Sequence, residues 1–299
     1  MRDMTDLPPP VPSTPPPVPA PGQAAPARGN PKGGSLVKAS WAALKQDKSL
    51  VSLPVVGGAI SLLCMIPIVV GFVAVPEGSE WIYVVLGIIG ALILGIISTF
   101  FAVALAAGAH ERMNGGNPTV KSAMGQAWKH KKAVVGWALL SVTVGLVLNA
   151  LKEKFKTAGN IASTLGGMAF SIASFFVVPI IASENLGPWP ALKKSVGTMR
   201  DKWSSSARVQ LRLVVYVIGL LVAAFVAVLV VVLLANVNSA LAVVVGIVLG
   251  AAIFYAALVL GAISSYSRVA LYRYSSGMPT PGIDEGAIVA AITTAPAKA

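Results

Sequence analysis

The chain has 299 residues, of which 56% are hydrophobic and 11% charged, with 23 Lys+Arg against 11 Asp+Glu. A soluble domain carries about 25% charged residues, so this composition, with a mean hydropathy of +0.78, excludes an ordinary soluble protein. The basic excess does not point to nucleic acid, because Lys and Arg beside membrane helices follow from the positive-inside rule and from anionic lipid.

Residues 1–34 read as a disordered, proline-rich tail. Eleven of the 21 prolines fall by Pro31, and Pro8-Pro9-Pro10-Val11-Pro12 recurs as Pro15-Pro16-Pro17-Val18-Pro19. Too few bulky apolar residues are present to form a core. The tail should sample polyproline II. A solvated spacer is the plainer reading; a docking ligand for a protein partner is the functional one. The first fifty residues hold no apolar h-region of a signal peptide, so the first span is expected to act as its own targeting anchor.

Six apolar runs follow, near 51–75, 81–109, 133–151, 161–182, 213–235 and 239–264. Each approaches or exceeds the roughly 20 residues needed to cross about 30 Å of hydrocarbon. No Lys, Arg, Asp or Glu falls inside these limits. Of the 23 Lys and Arg, 20 lie on the side of the N-terminus and only Lys152, Lys154 and Lys156 on the other. Both termini are therefore expected in the cytoplasm.

Each pair of spans is preceded by a basic segment with Ser and Trp. The first is Lys38-Ala39-Ser40-Trp41 to Lys45. The second runs from Pro118 through Lys121-Ser122 to Trp128-Lys129, and the third from Pro190 through Lys194-Ser195 to Lys202-Trp203. This is a weak threefold repeat. Each segment reads as a short interfacial helix, with Trp41, Trp128 and Trp203 as anchors at headgroup depth.

Helices in lipid meet through small residues. Stripes at a spacing of four mark Gly87, Ala91 and Gly95 in span two, Gly145 in span three, Gly167 in span four, and Gly246 and Gly250 in span six. Packing within the monomer is the preferred reading, and a homodimer seam along Gly246 and Gly250 the alternative. Pro67 and Pro179 interrupt spans one and four and are read as kinks rather than substrate-exposed breaks.

No catalytic constellation emerges. Ion-coupled carriers usually need an ionisable group within the membrane, and the assigned spans have none. The single Cys64 excludes an intramolecular disulfide and a CxxC knuckle and reads as a buried hydrophobe. His110 and His130 are read as solvated residues of one loop, too few for a metal. Glu184, just beyond span four, is either a latch pairing with Lys193, Lys194 or Arg200, or an exposed loop charge worth about 0–1 kcal/mol.

Several stretches are similar to an uncharacterised, actinobacterial-type family of six-span integral membrane proteins, a domain of unknown function. They are Ser40-Trp41 with Leu44-Lys45-Gln46-Asp47-Lys48-Ser49-Leu50 and Pro54, then Thr99-Phe100-Phe101, then Gly136-Trp137-Ala138-Leu139-Leu140. The series continues with Phe175-Phe176-Val177-Val178-Pro179, Glu184, Gly187-Pro188, Ala191-Leu192-Lys193-Lys194-Ser195 and Leu271-Tyr272-Arg273-Tyr274. The resemblance covers about residues 36–277. It implies a six-span membrane protein and brings no reaction with it.

The expectation is an all-α bundle of six transmembrane helices with short cytoplasmic interfacial helices. Residues 1–34 form the tail, 35–277 the membrane domain and 278–299 a flexible cytoplasmic tail. It is expected in a bacterial plasma membrane, without enzymatic activity or cofactor, and with no nucleic-acid partner. A membrane scaffold or interaction protein, partnered by the bilayer and by a protein at the tail, is the leading function. A transporter or channel for a lipid or small solute is the alternative, and the oligomeric state stays open.

Overall fold

The computed structural model describes residues 36–283 and 288, apart from 46, 77 and 204–206. The expected proline-rich tail lies outside the described residues. Among them the secondary structure is helical: α1 Leu36–Lys45, α2 Lys48–Val73, α3 Glu80–Met113, α4 Val120–Lys129, α5 Lys131–Ala173, α6 Val177–Glu184, α7 Pro188–Trp203, α8 Ala207–Ala235 and α9 Ser239–Ser275. Six stretches are long and apolar enough to span a membrane.

Local chemistry sets the ends. The Asp47 carboxylate caps α2 by accepting from the backbone N–H of Ser49 and Leu50 at 3.1 and 3.4 Å, satisfying two of the first-turn donors. Thr119 and Ser122 exchange side-chain and backbone bonds as a capping box at the start of α4. Asn238 caps α9 by accepting from Leu241 N at 3.0 Å. Asn185, in the left-handed region at φ 52°, closes α6, and Pro188 then opens α7, where its missing N–H costs nothing.

The long run Lys131–Ala173 is one hydrogen-bonded element that doubles back. Trp137 stacks on Phe170 with centroids 5.8 Å apart, and a Cβ at Gly166 would lie 2.8 Å from Leu148 Cδ2. Its two arms are therefore antiparallel neighbours, matching two expected spans. Gly159 permits the reversal: a Cβ there would sit 2.1 Å from the carbonyl oxygen of Leu151. The second arm breaks at residues 174–176, ahead of Pro179 rather than at it. Pro179 lies in the first turn of α6, where no amide hydrogen is needed. By contrast, α2 remains helical through both Pro54 and Pro67.

Length explains where the core sits. At 1.5 Å per residue, the 34 residues of α3 and the 37 of α9 are about 50 Å and 55 Å long, well beyond the hydrocarbon thickness. Their surplus turns form a packed end. Buried residues of α3 concentrate at Phe101–Met113, and those of α9 at Ala262–Ser275. Phe175, Phe176, Ile180, Ile181 and Trp137 complete that layer. Within 217–235 of α8 and in the apolar centre of α9, no residue is buried. The core is thus a cap at the basic end, beneath hairpins whose far halves face outward.

The three short helices close this cap. α1 packs on α9 and α2, α4 on α3, and α7 on α5 and α6. Each is fastened by the serine of its repeated segment. The hydroxyls of Ser40 and Ser267 share a hydrogen bond at 2.8 Å. Ser122 Oγ donates to Glu111 Oε2 at 3.1 Å. The backbone N–H of Phe176 donates to Ser195 Oγ at 3.1 Å. The described start of the C-terminal stretch also packs here, with Thr280 6%, Ile283 5% and Ile288 0% exposed.

Candidate functional site

The extensions of α3 and α9 carry polar side chains past the ends of the apolar runs. They meet α4, α6 and the segment after α9 around a cavity of about 580 Å³. Its walls include His110, Glu111, Asn114, Gln126, His130 and Arg273.

Arg273 is 2% exposed. Its Nε donates to the carbonyl of Pro279 at 3.0 Å, Nη2 lies 3.5 Å from the carbonyl of Met113, and Nη1 3.4 Å from His110 Nδ1. These contacts tie the ends of α3 and α9 to the following chain. The solvated loop histidine expected from sequence is corrected here: His110 lies in the last turn of α3 and is 7% exposed. It is buried because α3 continues beyond its apolar run into the cap. His130 ends α4, and its Nδ1 lies 2.8 Å from Asn185 Oδ1. The amide oxygen can only accept, so this ring nitrogen donates.

Beside the cavity, Glu184 joins three helices. Its Oε2 accepts from Lys194 Nζ at 2.5 Å, and its Oε1 accepts from the Tyr272 hydroxyl. This is the ion pair among the described residues. The hydrogen bond to Glu184 raises the Lys194 pKa above its ordinary 10.5. Tyr272 is 0% exposed, and its ring meets Phe176 and His110 with centroids 5.9 and 6.3 Å away. Tyr272 therefore contacts both the Glu184 cluster and His110 of the cavity wall. Lys193 is exposed, while Lys194 takes the carboxylate.

Trp41 is partly buried with Lys45 Nζ 4.8 Å from its ring centre, and Trp128 is exposed with Lys131 Nζ at 5.2 Å. Trp203 closes α7; its side chain lies outside the described residues. Among the glycines marked by spacing, Gly95 meets α5, a Cβ there lying 3.0 Å from Val142 Cγ2. Gly246 faces Val231 at 3.5 Å, Gly167 faces Leu148 at 3.9 Å and Gly87 faces Phe72 at 4.0 Å. Ala91 is partly buried on α3, between Gly87 and Gly95. Gly145 and Gly250 have open space. The tightest helix crossings lie elsewhere. A Cβ at Gly57 would be 2.6 Å from Phe101, at Gly58 2.9 Å from Leu258, and at Gly108 2.5 Å from Leu50.

Sequence reasoning missed the cavity because its walls span residues 107 to 278. The available signal was the position of His110, directly after the second apolar run, and of Arg273, nine residues after the sixth. Among the described residues, no three His, Cys, Asp or Glu converge as a metal site.

Residues 82–281, two-thirds of the chain, match the model of a family of unknown function, DUF6159. Most stretches that carried the resemblance fall inside this match, whereas Ser40–Pro54 lies before it. No curated protein and no solved structure matches the chain.

Proposed function

The chain belongs to this family, and we propose that it is a non-enzymatic integral membrane protein that works as an interaction platform at its basic end. The observation carrying this reading is the cap itself. Three basic, serine-fastened helices and the buried core gather at one end of the bundle. A protein built this way presents a rigid surface on one side of the membrane, while its other half is set mainly by lipid. The proposal places it in a bacterial plasma membrane with both termini in the cytoplasm, where 20 of its 23 Lys and Arg would lie. The proline-rich tail, which precedes α1 in the chain, would dock a protein partner.

The test compares tagged full-length protein with a version lacking residues 1–34, each captured in native nanodiscs and read by mass spectrometry. A defined partner lost on truncation supports the platform; an unchanged protein set with and without the tail rejects it. The cavity of about 580 Å³ favours a second reading, a transporter or channel for a small solute or lipid. Absence of flux in proteoliposomes would reject that one.

A further inference from the structure

We infer that the cavity at the basic end is a binding site for a phosphate-class oxyanion, the group shared by phospholipid headgroups and free phosphate, anchored by Arg273 and His110. The first observation is a buried cation with no carboxylate partner among the described residues. Arg273 is 2% exposed, yet among the described residues its guanidinium meets two carbonyls and an imidazole, not a carboxylate. Burying an unpaired charge is costly, and an anion in the cavity it lines removes that cost. The guanidinium fork also matches the oxygens of phosphate.

The second observation is an orphan donor. Arg273 has no acceptor, so His110 Nδ1 accepts from it and the ring proton sits on Nε2. That Nε2 is buried and has no hydrogen-bond partner, in a side chain that lines the cavity and is 7% exposed. A buried donor left unmade destabilises the fold unless an acceptor arrives.

Among the described residues, the nearby acids have hydrogen-bond partners other than Arg273. Glu111, on the cavity wall, accepts from Ser122 Oγ at 3.1 Å, and the following turn folds tightly over it, Gly116 N donating to its backbone carbonyl at 3.0 Å. Glu184 holds Lys194 and Tyr272. Asn114 and Gln126 add amide donors to the wall. A volume of about 580 Å³ lies within the roughly 300–1,000 Å³ of small-molecule sites. The cavity also sits beyond the apolar runs of α3 and α9, at the end that carries the basic helices.

The experiment uses full-length protein in maltoside detergent, which carries no phosphate. Thermal unfolding is followed by tryptophan fluorescence while inorganic phosphate is titrated at constant ionic strength. Native mass spectrometry of the same preparation reads retained lipid. The variants are Arg273→Lys, which keeps charge but loses the fork, and His110→Phe, which keeps ring volume but loses both nitrogens. Lys193→Ala serves as an exposed basic control at the same end. One expected result is a saturable rise in unfolding temperature for wild type and Lys193→Ala, with apparent phosphate affinity at least tenfold weaker in both site variants; this identifies free phosphate. The other is an anionic phospholipid retained by wild type and Lys193→Ala but lost from both site variants, which identifies a headgroup. Should Arg273→Lys fail to fold, His110→Phe decides alone. The inference is overturned if wild type shows neither response, or if His110→Phe keeps the wild-type response. The platform reading survives that failure, because it rests on the cap and is tested separately, by partner capture through the tail.

Discussion

Gly57→Ala should destabilise the protein although it replaces the poorest ordinary helix former with the best. The new Cβ would lie 2.6, 2.8 and 3.1 Å from Phe101 Cγ, Cδ2 and Cβ. Carbon atoms prefer about 3.5–4.0 Å, so the overlap approaches 1 Å. The obstacle is the root of a side chain rather than a mobile tip, and Phe101 is 9% exposed with its ring 5.5 Å from that of Phe100. Overpacking of this kind costs about 1–3 kcal/mol, and the helix propensity of Ala offsets at most about 1 kcal/mol. A net loss of about 1–2 kcal/mol should lower the midpoint of thermal unfolding in nanodiscs by about 2–8 °C for a chain of this size. Gly145→Ala and Gly250→Ala, where the added methyl meets nothing within 4 Å, should leave it unchanged or slightly raised. Equal melting of Gly57→Ala and Gly145→Ala would refute the packing of α2 on α3.

Gly159→Ala should cost more than Gly57→Ala, because its Cβ would lie 2.1 Å from a backbone oxygen; a folded yield matching wild type on size-exclusion would contradict the reversal in α5. For Lys194, a folded-state pKa raised above 10.5 gives a contribution that is complete below the unfolded value and lost as pH rises through the folded one. The melting difference between wild type and Lys194→Met should therefore be flat from about pH 7 to 9 and shrink above 10.5; a difference that shrinks already between those lower values would dismiss the pairing with Glu184. Orientation can be read in a Cys64→Ser background, which removes the single cysteine. Lys154→Cys should react with an impermeant maleimide in intact cells, and Lys121→Cys only after lysis; the reverse pattern would invert the proposed topology.

Hydropathy made the six spans legible, because membrane thickness dictates the length of an apolar run. The Ser–Trp–Lys segments marked α1, α4 and α7 for a similar reason, being short, amphipathic and flanked by turn residues. Sequence drew attention to their Trp and Lys, whereas Ser40, Ser122 and Ser195 fasten them; periodicity cannot tell a serine that faces a neighbour from one that faces water. Spacing of four located small faces but not their partners. The adjacent Gly57 and Gly58 break that spacing, yet one meets α3 and the other α9, because consecutive helical residues point about 100° apart and can serve two neighbours. The cavity was hidden by sequence distance. His110 and Arg273 lie 163 residues apart, and nothing local says that both helices run on beyond the hydrocarbon to the same end.

The uneven placement of buried side chains also sets the order in which the molecule would come apart. Stability within a fold follows local burial, and here burial is concentrated in the last turns of α3 and α9. α8 has α9 as its main neighbour, so its hold on the rest is borrowed from a single helix and from surrounding acyl chains. Stripping lipid away should therefore fray this hairpin first and leave the end joined by Ser40, Ser195 and Tyr272 until last. The bilayer acts here as mortar for one half of the wall, while the other half is dry-stone.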